Sequence, residues 1–146
     1  MSIVKHKVVK VGIMPLDQFK KRTIAIAKGH YKPKKNEPKI WFSSIKSLAN
    51  VLSEENQHLL YLIMETHPKS IQDLAASSGR TANNLLRTLR MMENYGFVKL
   101  NKGKSTRGRA PLAPEVLYSS AEIELDFASW IYLHMSLNNY GIILEL

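Results

Sequence analysis

The chain has 146 residues, nearly half of them apolar, no cysteine and a net charge of +9. That length supplies one modest hydrophobic core, and the missing cysteines exclude disulfides and thiolate metal sites while fitting a reducing compartment. Lys5, His6, Lys7 and Lys10 break the only apolar stretch near the N-terminus, and no run reaches bilayer length, so neither a secretory signal nor a membrane partner is expected and a cytoplasmic location is.

The charge is segregated along the chain. Residues 1–40 carry eleven Lys and Arg against Asp17 and Glu37, and residues 80–109 carry eight against Glu93 alone. Residues 41–79 are slightly acidic, and residues 110–146 hold five acids and no Lys or Arg. Two basic blocks beside an acidic end point to a polyanionic partner, for which nucleic acid is the usual candidate. A merely solvated basic surface is the plainer alternative.

In chain order, residues 7–13 read as a short strand with Val9, Val11 and Ile13 on one face. Pro15 suits a first helical position, and Leu16, Phe19, Thr23, Ile26 and Ala27 form a helical stripe that Gly29 can close. His30 to Pro38, with two prolines and three lysines, reads as a mobile linker. Lys39 to Phe42 look extended. Ser44 caps a helix with Ile45, Leu48, Ala49 and Leu52 on one side, and Ser53 caps a more central helix ending near Thr66, before Pro68.

The stretch from Ser70 to Arg109 is the informative one. Ser70 caps a short helix over Ile71–Ser78, Gly79 supplies the positive φ of a tight turn, and Thr81 caps a helix over Ala82–Tyr95 that Gly96 ends. Ala75, four positions before the turn glycine, keeps the helix crossing thin, and Leu85, six after it, plugs the angle. That spacing is the helix-turn-helix signature. With Leu85, Leu89 and Met92 inward, the outer face presents Asn83, Asn84, Arg87, Thr88 and Arg90. Asn and Arg read adenine and guanine edges, and Thr81 and the helix N-terminus suit phosphates. Two of Arg80, Arg87 and Arg90 are expected to touch the backbone, with a merely solvated helix face as the plainer alternative. Leu86 falls on the DNA-facing side, where a small polar residue is more usual; it suits a thymine methyl, a slightly rotated helix, or a protein-docking face.

After Gly96 the period changes. Phe97–Leu100 form a strand, Asn101–Arg109 a basic loop with Lys102, Lys104, Arg107 and Arg109, and Leu112–Ala113 a returning strand. A helix-turn-helix followed by a basic hairpin is a winged helix. Residues 71–100 resemble the helix-turn-helix and first wing strand of MarR/ArsR-type regulators, through Asp73-Leu74-Ala75, Gly79, Thr81, Leu85, Arg87, Leu89, Met92-Glu93, Gly96 and Val98. The layout from residue 7 to 127 is similar to one branch, the predicted regulators and antitoxins of toxin–antitoxin gene pairs. The resemblance implies DNA binding, transcription regulation and a cognate toxin protein as a further partner.

The expected fold is therefore α+β and mainly helical: a winged helix-turn-helix with an N-terminal strand–helix extension. Residues 1–38 form the basic extension and linker, 39–127 the winged domain, and 128–146 an apolar and acidic tail that packs on the domain or makes an interface. The extension serves as a DNA-contacting arm, a dimer or toxin-binding surface, or simple packing. The expected function is sequence-specific binding of double-stranded DNA by a homodimer reading two half-sites. The alternatives are a protein-interaction module on the same scaffold and, more weakly, an RNA binder. No catalytic role, metal or cofactor is expected. His6, His30, His58, His67 and His134 lack ligand spacing, Glu122, Glu124 and Asp126 alternate with apolar residues as on a strand edge, and Gly103-Lys104-Ser105 lacks the glycine that a phosphate loop needs at position 98.

Overall fold

The computed structural model describes residues 6–105 and 107–128. It is mixed α and β, with five helices and two small sheets among the described residues. Strand β1 (Val8–Ile13) leads into helix α1 (Leu16–Ala27) and strand β2 (Ile40–Phe42). Four helices follow: α2 (Ile45–Val51), α3 (Glu54–Thr66), α4 (Ile71–Ser78) and α5 (Ala82–Tyr95). Strands β3 (Val98–Lys102), β4 (Leu112–Val116) and β5 (Ser120–Glu124) complete the order.

Local chemistry sets the helix limits. Ser44, Ser53, Ser70 and Thr81 each accept a backbone N–H three residues on, from Ser47, Asn56, Asp73 and Asn84. Each satisfies one of the orphan donors of a helix start. The helix ends differ. Gly79 and Gly96 take the left-handed conformation directly, whereas α3 ends on His67, a non-glycine at φ 46° ahead of Pro68. Pro15 is the residue before α1 rather than its first helical residue.

The core is one cluster. Leu59 and Ile63 of α3, Ile71 and Leu74 of α4, and Leu85, Leu89 and Met92 of α5 meet Phe97 and Val98. The sheet adds Val9, Val11, Ile40 and Phe42 from its inner face. The Phe42 ring stacks on Tyr95 at 4.4 Å between centroids, so the sheet sits against the C-terminal end of α5.

The three-stranded sheet is all parallel, in the order β2-β1-β5. Val11 pairs with Ile40 on one side and Ile123 on the other, which makes the N-terminal strand the middle one. Its outer face carries Lys10, Gly12, Trp41 and Glu124, with Lys10 paired to Glu124 at 3.5 Å. Every residue of β5 is exposed, so Glu122 and Glu124 lie on a strand edge, and Ile123 is half out of the core as well. The apolar stripe of α1 buries none of its residues, and Leu16 and Ile24 are exposed.

The segment expected to be a mobile linker is tied down. Arg22 on α1 bonds the Glu37 carboxylate at 2.8 Å and lies over the Tyr31 and Trp41 rings, while Tyr31 donates its hydroxyl to the same carboxylate. Lys10 reaches the Asn36 carbonyl, and Pro38 is buried. A run of lysines and prolines therefore hid a charged cluster whose partners lie in α1 and β2. Expectations for residues 129–146, including His134, lie outside the described residues.

Candidate nucleic-acid interface

Helix α4, a turn through Gly79 and Arg80, helix α5 and the β3–β4 hairpin form a continuous unit. The turn is short because Gly79 sits at φ 73°, where nothing lies within 4 Å of an added Cβ; conformation rather than space demands the glycine. Arg80 follows, and Thr81 starts α5 by accepting the Asn84 N–H at 3.2 Å.

The residues of α5 sort by the helical period. Leu85, Leu89 and Met92 are fully buried, so Asn83, Asn84, Arg87 and Arg90 form one exposed stripe, and Asn94 extends it. Thr88 is half-buried at the margin. Arg87 and Arg90 make no ion pair among the described residues, so both charges face water unopposed. Leu86, expected on the outer face, is half-buried instead and packs on the core cluster.

The hairpin pairs Val98–Lys102 with Leu112–Val116 in antiparallel register. Lys102 at the end of β3, and Lys104, Arg107 and Arg109 in the connecting loop, are all exposed. The loop is shaped locally: the Gly103 N–H donates to the Pro111 carbonyl at 2.8 Å, and Ser105 Oγ donates to the Gly108 carbonyl at 2.8 Å. A Cβ on Gly103 would come within 2.9 Å of the Pro111 ring, so this glycine allows close approach of the two strands.

Arg80 is placed differently from the other candidates. It is half-buried, and its Nη1 donates to Asn56 Oδ1 at 3.1 Å, across to the first turn of α3. Asn56 is the buried polar side chain of the core region, 9% exposed, and its Nδ2 donates to the Val51 carbonyl at 3.0 Å. Arg80, Thr81, Asn84 and Thr88 line one shallow cleft with Ser53 and Glu55. No motif in the sequence marks Asn56, but a signal was there: Asn56, Leu59 and Ile63 follow helical spacing, and two of the three are core residues.

A second concavity lies elsewhere. An open groove runs between α1 and the outer face of the sheet, lined by residues including Met14, Gln18, Trp41, Leu125 and Phe127. Among the described residues no group of three or more His, Asp or Glu side chains is gathered as for a metal ion, and no helix is long and apolar enough to cross a membrane.

Comparison with known proteins yields one family. The model of the HVO_A0114 family matches residues 51–123, which is half of the chain and runs from the end of α2 through β5. No curated protein matches the chain.

Proposed function

The chain belongs to the HVO_A0114 family, and we propose that it is a sequence-specific double-stranded DNA-binding regulator of transcription built as a winged helix-turn-helix. The carrying observation is the exposed stripe Asn83, Asn84, Arg87 and Arg90, free of ion pairs, on a helix that leads into a hairpin with an exposed cationic loop. Amide and guanidinium groups at successive helical turns match the donor and acceptor pattern of the major groove, and a cationic hairpin suits flanking phosphates. The likeness of residues 71–100 to MarR/ArsR-type regulators supports the same reading. It extends to the antitoxin branch, with a cognate toxin as protein partner. In this reading Ala82–Tyr95 enters the major groove, Lys102, Lys104, Arg107 and Arg109 lie along the backbone, a cytoplasmic homodimer reads an inverted repeat, and the chain catalyses nothing.

The test is binding of the full chain to a duplex from its own promoter, against an unrelated duplex of equal length, over a series of salt concentrations. If helix and hairpin neutralise about six phosphates per protomer, affinity falls steeply with salt while the preference for the promoter persists. Weak binding, equal on both duplexes and lost at physiological salt, overturns the reading. A protein-interaction module is the second reading, and one observation favours it: exposed Ile45, Leu125 and Phe127 line one groove beside α1, and Phe127 is 84% exposed. Leu86, half-buried, does not add to that surface.

A further inference from the structure

Asn56 occupies an unusual place for a buried amide. It lies in the first turn of α3, where its backbone N–H donates to the Ser53 cap, its Nδ2 donates to Val51 at the end of α2, and its Oδ1 accepts from Arg80 in the α4–α5 turn. One side chain thus joins three segments, and no buried side-chain nitrogen or oxygen among the described residues is left without a partner. Burying an amide is costly unless both ends are bonded, and here both are.

The chemistry of the partner matters. A carboxylate at position 56 would hold a guanidinium more strongly, through a charge-assisted pair. The amide holds Arg80 in place without cancelling its charge. Glu55 lines the same cleft, yet Arg80 makes no ion pair among the described residues. One of five guanidinium N–H donors is used on Asn56, and no other hydrogen bond of the guanidinium is made among the described residues. Arg80 lines the cleft beside Thr81, Asn84 and Thr88, at the start of the helix proposed to enter the groove.

We infer that Asn56 is a positioning residue: it presents Arg80 as an uncancelled cation to a DNA backbone phosphate next to the first turn of α5. The inference rests on the DNA-binding reading and deepens it. Arg80 is then a register contact, not a base reader, and its removal weakens binding equally on all sequences. Asn56 touches no DNA and acts only through Arg80.

The experiment measures affinity of the full-length wild type, R80Q, N56A, N56D and the double variant R80Q/N56A on promoter and unrelated duplexes across a salt series, with thermal unfolding run on each. For R80Q the slope of log affinity against log salt becomes shallower by about one, with promoter preference unchanged. N56A loses all or part of the same slope, and the double variant loses no more than R80Q. N56D is decisive if N56A folds poorly. A carboxylate keeps an acceptor for Arg80 and cancels its charge, so the slope becomes shallower; because it also loses the Nδ2 donor to the Val51 carbonyl, N56D is compared below its own unfolding temperature. A wild-type slope in N56D, or in R80Q, overturns the inference while leaving DNA binding intact. Failure of the wild type to bind either duplex overturns the DNA reading and the inference with it.

Discussion

Glu93 Oε2 accepts the backbone N–H of Leu100 at 2.8 Å, and this bond ties the last turns of α5 to the first strand of the hairpin. Glu93 is the lone acid of the basic block, and the structure gives it a backbone to hold rather than a charge to balance. The bond also explains a proline inside β4. Leu100 faces Pro114 across the hairpin, and since the Leu100 N–H points to Glu93, no ladder bond is demanded of a residue that has no N–H.

Replacing Glu93 by Ala should therefore destabilise the protein by about 1–3 kcal/mol, because it strands a part-buried N–H and loses a charge-assisted bond. E93Q keeps an acceptor and should lose less. Urea unfolding of both variants checks the order, and amide exchange at Leu100 should speed up in E93A. Equal stability of E93A and wild type would remove the bond from the account.

A second prediction separates neighbours on α5. Leu86 is half-buried against the core and Arg87 is exposed. L86A should cost about 1–2 kcal/mol of stability, less than a fully buried leucine because the site is half open. R87A should leave stability within about 0.5 kcal/mol and instead weaken DNA binding by about 1–3 kcal/mol if Arg87 reads a base. An equal loss on every duplex would make Arg87 a phosphate contact.

The outer face of the sheet supplies a third. A Cβ on Gly12 would sit 2.6 Å from the Trp41 ring and 2.8 Å from Pro38 Cγ. The neighbours are a buried proline and a ring held under Arg22, so neither yields easily. G12A should destabilise by about 1–3 kcal/mol through overpacking. Combined with W41L, the loss should be smaller than the sum of the two single losses, which chemical denaturation of the four proteins would show.

The fourth concerns the attachment of α1. No residue of this helix is buried, and Arg22 ties it to the segment that follows by bonding Glu37 and covering Trp41. R22A should free α1 and the 31–38 segment while α4, α5 and the β3–β4 hairpin stay folded. Limited proteolysis should then cut between residues 28 and 38 faster than in wild type, and any affinity for DNA under the proposed function should be little changed. R22K should recover part of the resistance only, since an ammonium lacks the planar fork that bonds the carboxylate and stacks on the ring.

What the sequence determined by itself was local. Each helix from α2 to α5 begins at a serine or threonine cap, and α4 and α5 end at glycines, because caps and left-handed turns are properties of a few adjacent residues. Asn83, Asn84, Arg87 and Arg90 were legible as one stripe for the same reason: helical period alone sets them opposite Leu85, Leu89 and Met92. Leu86 sits at the border of that stripe, and only packing against the core decided its side. The long-range relations were invisible in the chain. β1 pairs with β5 across more than a hundred residues, Asn56 meets Arg80 across 24 positions, and Arg22 meets Glu37 by way of a segment that reads as a loose linker. Parallel pairing and side-chain hydrogen bonds depend on where the backbone returns, and that is settled when the apolar faces close into one core rather than by any residue's own preference.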